Sequence, residues 1–165
     1  MSETADRLRA LVDAELAHLG DARVAAHVRA LLVDPVPVLR DWDYGDEDER
    51  YDCWSILDHP PSATGIAWCD VGFGPERPWG LVNLPHSGML PGSMGMDSGW
   101  FGRFLDAFFE SHAATDLPIW RVMRSEAGGR LPVTPEMGWD EAWGNVKALR
   151  AGDPAGRYHC WHTIG

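Results

Sequence analysis

Apolar residues recur along the chain at two spacings. In residues 2–19, Leu8, Leu11, Val12, Leu16 and Leu19 fall three or four apart, the stripe of an amphipathic helix. Ser2 or Thr4 can serve as N-cap, and Glu3 and Asp6 sit near the positive end of the dipole. Gly20 suits the left-handed residue that closes a helix, and Asp21 can cap a second one carrying Val24, Val28, Leu31 and Leu32. The pattern predicts a helical hairpin over residues 1–33, with one long helix as the alternative. Asp34, Pro35, Val36 and Pro37 read as its end, because a residue before proline is pushed out of the helical region.

From residue 51 to residue 84 the period changes to two. Tyr51, Cys53, Ser55 and Leu57 share one face and Asp52, Trp54 and Ile56 the other, a strand with one buried side. The HPPS turn at 59–62 ends it, since proline cannot continue a central ladder. Residues 65–73 are nearly all apolar apart from Asp70, and WGLVNL at 79–84 follows a second turn rich in Gly and Pro. Short connections of this kind favour antiparallel neighbours, so residues 51–84 form the three-strand core.

Residues 85–96 are too rich in Gly and Pro for regular structure beyond a short strand at 93–96. A helix is predicted from Asp97 or Ser98, with Trp100, Phe101, Phe104, Leu105, Phe108 and Phe109 on a broad aromatic face. IWRVM at 119–123 and RYHCWHTI at 157–164 read as strands. A last helix carries Trp139, Ala142, Trp143, Val146 and Leu149. The fold class is α+β, one domain over residues 1–165, with a mainly antiparallel sheet of about five strands, the N-terminal hairpin and two further helices.

Charge changes this picture. The chain has 14 basic and 25 acidic residues, a net of -11, which argues against nucleic acid as a partner because phosphate contacts need basic clusters. In residues 41–52, seven acids stand against Arg50 alone, and the loop at 41–50 directly precedes the first core strand. No apolar run is long enough to span a membrane and the N-terminus carries no signal-like segment, so a soluble cytoplasmic protein is expected. Cys53, Cys69 and Cys160 have no C-x-x-C spacing, so neither a disulfide framework nor a metal site is expected, and no cofactor is implied.

Candidate chemistry is sparse. The glycine-rich approach to Asp97 lacks the spacing and the basic residue of a phosphate loop, and Pro91 stands where a nucleophile elbow around Ser93 needs glycine. In the cluster His159, Cys160, Trp161 and His162, strand geometry puts the two histidines on opposite faces, while Cys160 and His162 share one. Were the last strand beside the Tyr51 strand, Cys53 and Cys160 would approach each other. His59 and His86 sit beside prolines and can act in acid–base roles with Asp58 or Asp70. Trp54, Trp68, Trp100, Trp143 and Trp161 read as core, whereas Trp42 and Tyr44 are flanked by acids in a loop.

YDCW at 51–54, GFGP at 72–75, PWGL at 78–81 and SMGMDSGWF at 93–101 resemble segments of small uncharacterised bacterial cytoplasmic proteins. In size, acidity and tryptophan content the chain is similar to immunity proteins of polymorphic toxin systems. That resemblance implies an inhibitor that binds a basic protein partner, a toxin in its most specific form, by occlusion. Asp43, Asp46, Glu47, Asp48 and Glu49 would meet the partner's Lys and Arg, with Trp42 and Tyr44 as anchors. Two alternatives stand beside it. One is a small hydrolase or transferase using Cys53 or Cys160 with His162 or His86, and the other an aromatic pocket for a small apolar or cationic ligand.

Overall fold

The structure, a computed structural model, describes residues 2–41, 45–71, 73–84 and 99–165. The chain packs as two compact units, Met1–Ala114 and Thr115–Gly165. The described residues form four helices and eight strands, every strand pair antiparallel, and the class is α+β. Among the described residues no helix is long and apolar enough to cross a membrane.

In the first unit, α1 (Glu3–Ala17) and α2 (Ala22–Leu31) make the N-terminal helical pair. α1 buries Ala5, Leu8, Val12 and Leu16 and leaves Leu11 exposed, so the buried stripe is narrower than the apolar one. Asp21 caps α2 by accepting from the amides of Arg23 at 2.9 Å and Val24 at 3.3 Å. Beside the helices runs a five-stranded sheet in chain order: β1 (Leu32–Arg40), β2 (Tyr51–His59), β3 (Thr64–Cys69), β4 (Trp79–Asn83) and β5 (Trp100–Phe101). α1 lies against β1, α2 against β2 and α3 (Phe104–Glu110) against β4.

The first difference from the sequence reading is β1 itself. Its two prolines were expected to end the helix in a loop, yet they lie within a nine-residue strand. β1 is at the sheet edge, where proline is tolerated if its nitrogen faces solvent. The ladder fixes that orientation. The Cys69 amide donates to the Pro78 carbonyl at 2.9 Å, towards β4. Its backbone therefore turns away from β2, and its partner Cys53 turns towards β1 and Val38. Pro37, the residue before Val38, points its nitrogen outward.

The second difference is the start of α3. Asp97 and Ser98 lie outside the described residues, and Trp100 and Phe101, expected on the helix, form β5 instead. Trp100 opposes Gly80, and a Cβ at Gly80 would come within 2.5 Å of the indole, so glycine is what lets the ring lie across β4. The helix begins at Phe104, where both Glu15 carboxylate oxygens of α1 accept backbone protons, from Phe104 at 2.9 Å and Leu105 at 3.0 Å.

The second unit holds β6 (Trp120–Glu126), β7 (Gly129–Pro132), α4 (Trp139–Gly152) and β8 (Tyr158–His162), in a three-stranded sheet ordered β7-β6-β8. The β6–β7 hairpin turns at Gly129, whose φ of 131° is open to glycine. α4 lies against β6 and β8. Of the five tryptophans assigned to the core, Trp100 is buried, Trp54, Trp68 and Trp161 are half-buried and Trp143 is exposed. Trp79 and Trp120, not among those five, are buried as deeply as Trp100, because each begins a strand at a position covered by rings: Phe104 packs edge-on against Trp79 at 5.3 Å and Trp139 against Trp120 at 4.6 Å.

Candidate functional site

The acidic segment joins the edge strand β1 to β2. Asp46, Glu47, Asp48 and Glu49 are all exposed, and among the described residues no Lys or Arg forms an ion pair with any of them. Arg50, the base within the segment, donates to the backbone carbonyls of Glu47 at 3.1 Å and Glu49 at 2.8 Å. Its charge is thereby held against the chain. Tyr51 bonds to the Glu49 carboxylate, which raises the phenol above its ordinary pKa. Val36 and Leu39 on β1 are 50% and 58% exposed, so apolar surface adjoins the acids. Trp42, Asp43 and Tyr44 lie outside the described residues.

The charge divides unevenly between the two units. Residues 1–114 carry 19 acids and 8 bases, whereas residues 115–165 carry six of each. The whole net charge of -11 therefore belongs to the first unit.

A second constellation lies on one face of the five-stranded sheet. Cys53 and Cys69 sit directly opposite each other on β2 and β3, both fully buried and both free thiols. Ala67, Val82 and Trp100 complete this small core, with Tyr51 and Phe73 partly covering it. Arg40, on the same face of β1, is 1% exposed and donates to the Asn83 carbonyl at 2.8 Å. Burial works against its charge, and the neighbouring Cys53 and Asp58 favour it. Asp58 is pushed above its ordinary value by burial, partly offset by Arg40. The two thiols hydrogen-bond to each other, an arrangement that holds Cys69 below its ordinary value and Cys53 far above. The Cys69 thiol also contacts the Val71 carbonyl.

In the second unit, Cys160 and His162 share the buried face of β8 with Tyr158, opposite Val122 and Trp120. His162 is wedged edge-on to Trp120 at 5.8 Å and stacked on Trp161 at 4.8 Å. Burial lowers its pKa, opposed by a bond with the Ile164 backbone, and burial pushes the Cys160 thiol up to about 11. A thiol held protonated in this way is a poor nucleophile at neutral pH. β8 pairs with β6 rather than with β2, so Cys53 faces Cys69 and not Cys160. His86 lies outside the described residues.

Two clefts open on the first unit. One, of about 200 Å³, lies between α1 and β1, floored by Leu8, Val12 and Ile56 with Arg9, Asp13 and Asp34 at its rim. The other, of about 270 Å³, has Thr64, Asn83, Glu110 and His112 in its walls. Behind Thr64 runs a hydroxyl chain: the Ser62 Oγ meets the Thr64 Oγ1 at 2.6 Å and the His59 Nδ1 at 2.7 Å. The chain closes the short 3-10 turn Pro60–Ser62, next to Ala63 in the left-handed region at φ 54°.

Sequence reasoning missed Arg40 and the pairing of Cys69. Arg40 carried a faint signal as a base directly before the acidic run, whereas the pairing depends on register, which composition does not report. Among the described residues no three His, Cys, Asp or Glu side chains gather as a metal site. No protein-family model matches the chain, and comparison with curated proteins and with solved structures returns no significant match.

Proposed function

We propose that the protein is a binding inhibitor that meets a basic partner protein through residues 41–50, in its most specific form an immunity protein that neutralises a toxin by occlusion. The observation that supports this reading is the exposed, unneutralised acid of Asp46, Glu47, Asp48 and Glu49. Like charges crowded in one connection repel one another in the free protein and gain when cations are brought across an interface. The neighbouring exposed Val36 and Leu39 add apolar area for burial beside the charged contacts. Trp42 and Tyr44 are the anchors of the reading, supplying rings of the kind that concentrate binding energy.

The experiment is capture of partners by the tagged protein from lysate of its own host, washed at low and then high salt. It is repeated with Asp43, Asp46, Glu47, Asp48 and Glu49 replaced by Asn and Gln. One stoichiometric basic partner is expected, released as salt rises. Association with the five-fold variant should be slower by at least about tenfold, the lower end of electrostatic steering. A partner held equally well by the variant removes the segment from the mechanism.

A further inference from the structure

We propose that Cys53 and Cys69 form a redox-modification site, oxidised by a small hydroperoxide to a reversible disulfide that joins β2 to β3. The warrant begins with the ladder. Because the Cys69 amide donates to Pro78 on the far side, Cys53 and Cys69 occupy a non-hydrogen-bonded cross-strand position. Residues so placed have Cα atoms about 4.5 Å apart, the closest approach an antiparallel pair offers. That separation falls inside the window of about 4.4–6.8 Å that a disulfide spans. Both cysteines are reduced, and a thiol–thiol hydrogen bond brings the two sulfurs together across the ladder.

The surroundings favour one order of events. The bond from Cys53 holds the Cys69 thiol below its ordinary value, which makes Cys69 the readier nucleophile of the two. Cys69 is the last residue of β3, followed by exposed Asp70 and by Val71 at 57% exposure, whereas Cys53 lies inside β2 between two strands. The Cys69 thiolate attacks the hydroperoxide, breaking the O–O bond to give a sulfenic acid and an alcohol, or water from hydrogen peroxide. The Cys53 sulfur then attacks the Cys69 sulfur, the S–OH bond breaks, and the hydroxide leaves as water with the Cys53 proton. Two thiols have lost two protons and two electrons, and the peroxide has taken them up. Cys160 lies opposite Val122 in the other sheet and has no cysteine across the ladder, so it stands as an internal control.

The test uses the whole reduced protein, folded, with hydrogen peroxide as the probe. After quenching, it is unfolded, alkylated, digested without reductant and mapped by mass. The expected result is one linked peptide pair containing Cys53 and Cys69, lighter by two hydrogens than the reduced peptides, with Cys160 alkylated and all three thiols restored by dithiothreitol. The Cys160→Ser variant should give the same linkage. Three alkylated thiols after peroxide would overturn the proposal, as would a linkage containing Cys160 or irreversible oxidation of Cys69 without linkage.

Discussion

Glu15 holds the first two amides of α3 from 89 and 90 residues away, one oxygen to Phe104 and the other to Leu105. A carboxylate at this place satisfies donors the helix cannot satisfy itself and complements its dipole. Arg103, at the N-cap, makes no side-chain cap of its own. Replacing Glu15 by Ala strands two amides at a largely buried start, since Phe104 and Leu105 are both enclosed. The expected loss is about 2 kcal/mol, typical of bonds to a charged group, read as a lower urea midpoint with unchanged slope. A midpoint that does not move would mean water replaces the carboxylate at no cost.

Asp21 supplies a second cap with a pH signature. The bond from the Arg23 side chain, followed by the amides of Val24 and Arg23, holds its carboxyl below the ordinary range. A depressed folded pKa contributes stability that is fully present above the ordinary value of about 4 and lost as pH falls through the lower folded one. Asp21→Ala should therefore cost about 1 kcal/mol at neutral pH, with wild type and variant converging in strong acid. Denaturant melts at both pH values decide it, and a gap that persists in acid would assign the loss to something other than the charge.

Ala63 is the one described non-glycine residue at positive φ. Its Cβ makes this conformation costly by about 1 kcal/mol, and Ala63→Gly should raise stability by up to that amount. Ala63→Val should lower it. If glycine destabilises the protein, the turn is not strained and the side chain has a packing role.

Thiol chemistry should separate the three cysteines. Cys160, raised to about 11, carries little thiolate at neutral pH, so its alkylation in the folded protein should be slow and should quicken as pH climbs towards that value. Rapid labelling at neutral pH would revive the nucleophile reading for this residue. For the other two, closing the loop between residues 53 and 69 should add about 3 kcal/mol to the oxidised protein over the reduced. The measurement is the urea midpoint of each form.

The helices and core strands were legible because burial imposes its period on the residues themselves: Leu8, Val12 and Leu16 recur at helical spacing, and Cys53 and Ser55 alternate with half-buried Trp54. β1 was not, since Pro35 and Pro37 carry the same signal at a strand edge as in a loop. Trp100 and Phe101 misled in another way. A dense aromatic run fits both periods, and only the opposing Gly80 decides. The thiol pair was hidden by a single residue. From His59 and Thr64 the hairpin counts back to Leu57 opposite Ile66, then slips by one, so that Ser55 meets Ala67 and Cys53 meets Cys69. Without that bulge Cys53 would stand opposite Asp70, and a bulge at Ile56 has no mark in composition. The acidic segment was plain as charge, but the absence of cationic partners for its described carboxylates depends on where Arg50 points.

The outward nitrogen of Pro37 has a consequence for how copies of this chain behave in a crowded solution. An exposed edge bearing Val36 and Leu39 is the sort of surface onto which another chain could add itself strand by strand, the route to ordered aggregates. Such a newcomer would seek a proton at Pro37 and find a ring. The acids that follow would repel a second copy, which brings the same charges. The edge is closed in this way to its own kind.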